Sequence, residues 1–315
     1  MVVLDEALLR SQAQLVLPLR AKGLAEEAAL IAMHGGLERD EARKTGVKGL
    51  HRGKRVTLAY IRRAMEASVS ASVGEADHRG SAWTVGPAEP RMTRDVVDVW
   101  RADLTIRDAE PVELLSTDER ERAAGIVDEY RRVLWQRSRG LLRALLGRYL
   151  EMAPAEIELS LGTYGKPHLV HSANAPLELA FNLSHSGRVA LYAFAEHAVG
   201  VDVQLARPAG AMHAGATHTR DYVALARRAL GRDAAEHLQQ IPRQRREEEF
   251  LRMWTRHEAV LKCSGVGIAS AKSASAGQSF DDVLPWLAQL DVGSSAAAAV
   301  ACAIKPRKLR LWNCT

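Results

Sequence analysis

GVDVQ, residues 200–204, decides the local fold, because its valines alternate with a glycine and with polar residues. Successive side chains of a β-strand point to opposite faces, so the valines share one face, and Asp202 and Gln204 lie side by side on the other. Two oxygen-bearing side chains at this spacing suit a hard cation such as Mg²⁺. A solvated strand face with ordinary polar residues is the alternative interpretation.

A second segment, residues 250–268, reads FLRMWTRHEAVLKCSGVGI and has the apolar spacing of a helix. Glu258 and Lys262 are four residues apart in it and therefore share one helix face. On an exposed helix such a pair contributes only a few tenths of a kcal/mol. Trp254 beside the pair, and the glycine stop that begins at Gly265, indicate a partly buried site instead.

Two shorter motifs add groups that donate hydrogen bonds to phosphate. Ser184 and His185 end an apolar strand in FNLSHSG, residues 181–187, although a simple turn explains Ser-His-Ser equally well. Lys166 lies upstream in YGKPHL, directly before Pro167, which restricts the local backbone.

The remaining sequence alternates strands with helices, which predicts an α/β or α+β fold. Ser116 begins a long helical run to residue 150, with Glu119 as its capping-box partner, and a second helical block covers residues 219–264. Strands are predicted at residues 95–104, 157–162, 177–184, 189–195 and 198–204, with two closing strands within 296–312. Residues 1–70 have helical spacing, and the following stretch to residue 90 is rich in small residues, Gly and Pro, as in a linker.

Composition narrows the class of protein. The chain of 315 residues has a formal charge of +5, which favours a phosphate-rich ligand or an acidic partner, although a solvated charged surface accounts for it too. Its three cysteines lack the spacing of a disulfide framework, and it has neither a signal-peptide pattern nor an apolar run that spans a membrane. We therefore expect a cytoplasmic protein without membrane association.

Taken together, the motifs GKP, FNLSHS, GVDVQ and WTRHEAVLKCSGVGI resemble, in order and spacing, those of the surfactin-type 4′-phosphopantetheinyl transferases. The resemblance covers roughly residues 94–312. It implies a pseudo-dimer of two similar α/β halves, residues 93–197 and 198–315, preceded by an N-terminal helical extension and linker over residues 1–92.

The resemblance also implies a reaction. The enzyme would transfer the 4′-phosphopantetheine arm of coenzyme A to a serine of an apo acyl or peptidyl carrier protein, with Mg²⁺, and release 3′,5′-ADP. Coenzyme A and the carrier would be its partners, and the pseudo-dimer would act as a monomer.

Roles follow for single residues by motif position. Glu258 would be the base that activates the carrier serine, and Lys262 would meet the pyrophosphate and the leaving phosphate. The implied metal ligands are Asp202, Gln204 and Glu258. The implied coenzyme A-binding residues are Lys166, Pro167, Ser184, His185, Lys262 and Arg132, the last as a ligand of the 3′-phosphate.

Two positions depart from the family pattern. Gln204 stands where a third acid is usual, and His257 stands where a lysine is usual. Other functions stay open: a non-catalytic coenzyme A or nucleotide-binding protein, a metal-dependent phosphohydrolase, and a nucleic-acid-binding protein based on the basic cluster at residues 44–55. The sequence argues against the last of these, because the cluster lacks interleaved aromatic residues and a recognisable module.

Overall fold

The computed structural model describes residues 76–78, 82–106, 111–162, 165–170, 179–206, 221–265 and 285–314. Strands and helices are mixed in these ranges, which confirms the expected α/β fold class. The predicted helices of residues 1–70 and the basic cluster lie outside the described residues.

Three β-sheets contain the described strands. The strands are β1 (Ala76–His78), β2 (Thr84–Val85), β3 (Val96–Asp103), β4 (Leu159–Leu161), β5 (Pro167–Leu169), β6 (Ala180–Ser186), β7 (Val189–Ala195), β8 (Val199–Leu205), β9 (Trp286–Leu290), β10 (Ala296–Cys302) and β11 (Lys308–Asn313). One sheet has the order β1-β9-β10-β8, a second has the order β2-β11-β3-β7-β6, and β4 and β5 form a separate pair.

The first predicted helical run is two helices, α1 (Thr117–Ala124) and α2 (Glu129–Leu150). The capping box at the start of α1 is confirmed, since the Ser116 hydroxyl accepts from the Glu119 N–H and the Glu119 carboxylate accepts from the Ser116 N–H. The run breaks after Gly125 because Asp128 caps a new helix, accepting from the Arg131 N–H at 2.9 Å.

The second helical block is divided into α3 (Tyr222–Ala229), α4 (Arg232–Gln240) and α5 (Arg246–Ser264). Gly231 separates α3 from α4 with a φ of 97°, a conformation that favours glycine, and Pro242 follows α4. No helix in the described part of the chain is long and apolar enough to cross a lipid bilayer.

The two large sheets pack face to face, with one helix on each outer side. Their inner faces share a core of valines, alanines and leucines, including Val97 and Val99 from β3 and Val201 and Val203 from β8. The outer face of the five-stranded sheet packs against α2 through a second core that contains Trp100. The outer face of the four-stranded sheet packs against α5 through alanines of β10.

Each sheet contains the same three-strand arrangement. In the five-stranded sheet β7 lies between β3 and β6, and in the four-stranded sheet β10 lies between β8 and β9, with antiparallel pairing throughout. In both cases the chain runs from an edge strand of the trio through helices to a hairpin. β11 departs from this pattern. It follows β10 of the four-stranded sheet in the chain, but it joins the five-stranded sheet and pairs there in parallel with β3.

Part of the predicted linker belongs to the sheets. β1 pairs in parallel with β9, and β2 pairs in parallel with β11, so this segment contributes a strand to each large sheet. Trp83 lies between them, and its indole N–H donates to the Asp291 carbonyl at 2.5 Å. Composition suggested a linker because strands of two or three residues carry no readable alternation.

Candidate active site

The candidate site forms where the edge strands of the two sheets meet. β6 ends one sheet and β8 ends the other, and side chains of β6 bind backbone N–H groups of β8. The acceptors are side-chain oxygens at every second position: Asn182 for Val201 at 2.8 Å, Ser184 for Val203 at 3.4 Å and Ser186 for Leu205 at 3.1 Å. Strand alternation therefore places the three polar side chains toward β8.

Asp202, Lys262 and Ser184 form one hydrogen-bonded group at this junction. The Asp202 Oδ1 accepts from the Lys262 ammonium at 2.6 Å and from the Ser184 hydroxyl at 2.8 Å. The Lys262 ammonium also donates to the Ser184 oxygen at 3.1 Å. Asp202 is buried, whereas 29% of the Lys262 side chain is exposed, so the lysine lies at the mouth of the group.

Glu258 lies on α5 one turn before Lys262 and is buried. Burial, and after it the negative charge of Asp202, raises the pKa of its carboxyl to about 8, although the positive charge of Lys262 opposes the rise. The two carboxyl groups are therefore close enough to repel each other when both are charged.

Gly200 allows α5 to lie directly against β8. A Cβ atom at this position would be 2.1 Å from the Ala259 carbonyl oxygen and 2.3 Å from the Cys263 nitrogen, both backbone atoms of α5. Only a residue without a side chain permits this approach. Glu258 and Lys262 reach the Asp202 side of the strand because the helix is this close.

The observed donors fit a divalent cation. Two carboxyl groups that repel each other, with the Gln204 side chain beside them, are the oxygen ligands that Mg²⁺ accepts together with phosphate and water. Gln204 faces the site through its amide, which donates to the Asp202 Oδ2 at 3.3 Å. Within the described ranges no group of three or more His, Cys, Asp or Glu side chains is placed to hold a metal.

His185 lies on the opposite face of β6 from Ser184, toward α2. Desolvation by the surrounding protein, and after it the positive charges of Arg139 and Lys262, lower the pKa of its imidazole to about 4. The residue nevertheless remains accessible to solvent. A neutral ring beside two cations can still donate one hydrogen bond to an anion.

Of the arginines of α2, Arg139 is the one whose positive charge lowers the pKa of His185. Arg132, the predicted ligand of the 3′-phosphate, forms an ion pair with Glu129 one turn away on the same helix. Arg139 lies two turns further along, with its guanidinium 5.4 Å from the Trp135 ring centre. Sequence spacing alone does not show which turn of α2 faces β6.

Pro167 is the first residue of β5, and Lys166 directly precedes it. The Lys166 ammonium donates to the backbone carbonyls of Val199 at 3.0 Å and Lys262 at 2.7 Å. Burial lowers the pKa of this lysine. Pro167 pairs with Leu161 in the short β4–β5 ladder.

The two aromatic neighbours of the site belong to the core. Trp254 stacks on Phe250 with ring centres 6.1 Å apart and packs against α3 and α4. His257, the departure from the family pattern, is buried with its ring 6.0 Å from that of Trp254. Trp254 therefore packs on the side of α5 that faces α3 and α4.

Comparison with known proteins identifies the family. A model of the 4′-phosphopantetheinyl transferase superfamily matches residues 198–296, which contain Asp202, Glu258 and Lys262. The 4′-phosphopantetheinyl transferase HetI of Nostoc sp. (strain PCC 7120) is 32% identical over 191 residues, 59% of this chain and 76% of the relative. The chain belongs to the 4′-phosphopantetheinyl transferase family.

Two further relatives agree. The 4′-phosphopantetheinyl transferase Sfp of Bacillus subtilis is 24% identical over 129 residues, and AcpT of Salmonella typhimurium is 37% identical over 127 residues. These matches cover 41% and 39% of this chain, and 50% and 56% of the relatives. The enzyme class expected from the sequence motifs of this transferase is confirmed.

Several residues that shape the site were not singled out in the sequence. Asn182 carries the same signal as Ser184 and Ser186 of the Ser-His-Ser cluster, since polar side chains repeat at every second position of FNLSHS. Gly200 carries a signal too, as a glycine inside a valine-rich strand marks a close backbone approach. Arg139 carries none, because the long helix offers many arginines.

Proposed function

We propose that this chain transfers the 4′-phosphopantetheine arm of coenzyme A to a serine of an apo acyl or peptidyl carrier protein and releases 3′,5′-ADP. The observation that carries the proposal is the contact of the Asp202 carboxylate with the Lys262 ammonium, with the buried Glu258 carboxyl beside them. A cation and a pair of acids at one point suit phosphoryl transfer, which needs positioning and neutralisation of charge.

Coenzyme A would lie along a row of cationic and hydroxyl groups. Lys262 and Ser184 form one end, at the β6–β8 junction, and His185 and Arg139 continue it toward α2. Pyrophosphate oxygens would meet Lys262, and the 3′-phosphate would meet the groups on the α2 side. Arg132 stays a weaker candidate there, because Glu129 already pairs with it.

In the proposed reaction, the carrier serine oxygen attacks the phosphorus that bears the pantetheine arm. The bond from that phosphorus to the bridging oxygen of the pyrophosphate breaks, and 3′,5′-ADP leaves with its electron pair. Glu258 takes the serine proton as the general base. Lys262 neutralises the charge that develops on the leaving phosphate.

Asp202, Glu258 and Gln204 would hold Mg²⁺, which supplies Lewis-acid neutralisation of the pyrophosphate when it is bound. Asp202 is fixed for this role by Ser184, which holds one of its oxygens. Gln204 would turn its amide oxygen toward the ion. Its uncharged side chain would bind more weakly than a third acid.

The proposal extends to the organisation of the chain. The matching strand trios support a pseudo-dimer within one polypeptide, so that a monomer contains the whole site. Cys263, Cys302 and Cys314 are free thiols, as is usual for proteins of a reducing cytoplasm. The N-terminal residues 1–75 would be an extension of the transferase.

Mass spectrometry of the carrier tests the proposed function. The full chain is incubated with coenzyme A, Mg²⁺ and a panel of apo carriers from fatty acid, polyketide and nonribosomal peptide systems. We expect at least one carrier to gain the mass of one phosphopantetheine group and 3′,5′-ADP to appear in equal amount. The same carrier with its serine replaced by alanine should gain nothing.

Other outcomes would reject transfer. Coenzyme A binding without labelling of any carrier would indicate a non-catalytic binding protein. Release of free phosphopantetheine would indicate a phosphohydrolase. Salt-sensitive retention of DNA or RNA that survives replacement of Glu258, without labelling, would indicate a nucleic-acid-binding protein.

A further inference from the structure

Lys166 is half-buried, and its ammonium group is directed at the protein backbone. It donates to the Val199 carbonyl at 3.0 Å and to the Lys262 carbonyl at 2.7 Å. A lysine ammonium has three N–H donors, so these two contacts use most of its capacity. A group held in this way is poorly placed to bind a phosphate as well.

The two carbonyls belong to the two chain segments that carry the site. Val199 begins β8, three residues before Asp202, and Lys262 lies in the last turn of α5, one turn after Glu258. The Lys262 carbonyl is thus an end group of the helix, where a positive charge is favourable. The Lys166 ammonium therefore joins the strand that carries Asp202 to the helix turn that carries Lys262.

Other contacts at the same place show that the junction is tightly built. The Cys263 thiol donates to the Ala198 carbonyl at 3.1 Å, and the Gly265 N–H donates to the Lys262 carbonyl at 3.3 Å. Gly200 brings the two backbones together. The contacts of Lys166 differ from these because this side chain belongs to the segment of the β4–β5 pair, which lies in the first half of the transferase.

We propose that Lys166 is a positioning residue for transfer, which holds the end of α5 against the start of β8 so that Lys262 and Glu258 meet Asp202. It acts through these residues and does not bind coenzyme A through its side chain. This inference rests on the proposed function. It assigns to Lys166 a role different from the one that the sequence motif implied.

Replacing the ammonium while keeping the length of the side chain tests the role. In Lys166→Met we expect kcat for carrier labelling to fall by about tenfold or more, because displacements near 1 Å at a reacting centre cost up to about 100-fold. The Kd for coenzyme A, measured by isothermal titration in Mg²⁺ without carrier, should rise by less than about fivefold, since Lys166 itself contacts no ligand and the displaced Lys262 keeps its charge. Lys305→Met, which changes an exposed lysine, serves as the control.

Hydrogen exchange supplies a readout that does not need activity. Peptides over residues 198–204 and 256–265 should exchange faster in Lys166→Met than in Lys305→Met, because the joint between strand and helix opens more often. Lys166→Gln, whose amide keeps two N–H donors without charge, should lie between wild type and Lys166→Met, and it replaces the methionine variant if that protein does not fold.

A Kd for coenzyme A weakened by more than about fivefold would overturn the proposal, since each factor of ten is about 1.4 kcal/mol of direct binding. Unchanged kcat, or unchanged exchange in both peptides, would overturn it too. If the wild type labels no carrier, the proposed function fails, and the exchange comparison still decides whether Lys166 joins the two segments.

Discussion

Two buried aspartates lie in corresponding strands of the two large sheets. Asp98 lies in β3 and Asp202 lies in β8, and each points away from the shared core toward the helix that covers its sheet. Asp98 accepts four hydrogen bonds. They come from Arg310 Nε and Nη2 at 2.5 and 2.7 Å, from the Tyr149 hydroxyl at 2.6 Å and from the Trp312 indole at 3.1 Å.

Asp202 is less completely satisfied. Its Oδ1 has short contacts with Lys262 and Ser184, but among the residues that the structure describes its Oδ2 contacts only the Gln204 amide, at 3.3 Å. A carboxylate has room for about four donors, so Asp98 is saturated and Asp202 is not. A buried aspartate on the helix-facing side of the strand therefore serves stability in one sheet and leaves room for a ligand in the other.

The largest expected effect separates the two aspartates. Asp202→Asn should reduce transfer by about 100-fold or more, since it removes charge at the reacting phosphates, and it should remain folded because the amide oxygen still accepts from Ser184. Asp98→Asn should leave activity per folded molecule near wild type but lower the free energy of unfolding by on the order of 3 kcal/mol, as Arg310 loses its partner.

Urea unfolding and kcat, measured on both variants, check this contrast. Equal loss of activity in the two would mean that Asp98 also serves the reaction.

The second effect concerns how closely each helix approaches its strand. Two residues before Asp202 stands Gly200, whereas Val96 stands two residues before Asp98. Gly200→Ala should push α5 away from β8, lower transfer by roughly 10- to 100-fold and destabilise the fold by about 1–3 kcal/mol. Gly86→Ala, whose new Cβ would be 2.0 Å from the Trp100 ring in the other sheet, is the control for destabilisation away from the site.

Thermal unfolding and labelling rates measure both quantities. Wild-type rates in Gly200→Ala would show that the close approach is unnecessary.

A third, smaller effect is the pH dependence that the acid pair brings to the metal-free protein. The pKa of Glu258 is about 8 in the folded state against an ordinary 4.5, so the folded state holds this proton more tightly than the unfolded chain. The proton on Glu258 therefore makes its full contribution to the free energy of unfolding below pH 4.5, and this contribution is lost as pH rises toward about 8. Each pKa unit corresponds to about 1.4 kcal/mol.

Glu258→Gln should flatten the dependence of the unfolding free energy on pH across that window, because an amide does not titrate. Urea unfolding in EDTA at several pH values measures it. Parallel curves for wild type and variant would place the source of the slope elsewhere.

The smallest effect concerns Gln204. Charge count helps to set the affinity of an oxygen site for a divalent cation, so Gln204→Glu should lower the Mg²⁺ concentration for half-maximal labelling a few-fold. Gln204→Ala should raise it only modestly, because Asp202 and Glu258 remain. Magnesium titrations of the three proteins decide the point, and superimposable curves would exclude Gln204 from the ligand set.

Regular elements with strong local signals could be predicted from the sequence. The capping box of Ser116 and Glu119 marked the start of α1, and the valine alternation marked β8 with Asp202 on its helix-facing side. Both depend on neighbours a few residues apart, which is why local pattern suffices. The β9 strand, WLAQL, was missed because five mostly apolar residues carry no clear period.

Long-range placement could not be predicted. The direction of the Lys166 ammonium depends on where the end of α5 lies, 96 residues later. The motif showed a lysine before a proline and allowed a phosphate ligand. In the same way, Arg139 and Arg132 are indistinguishable until α2 has packed against the sheet.

The position of β11 has a consequence for synthesis of the chain. This strand lies between β2 and β3 in the sheet, although residues 308–313 are synthesised more than 200 residues after both. Until they emerge, β2 lacks its neighbour, and Arg310 is not yet available to Asp98, which lies 212 residues earlier. The five-stranded sheet is therefore completed only after residues 308–313 have been synthesised, and until then β3 has an open edge on which a wrong strand can pair.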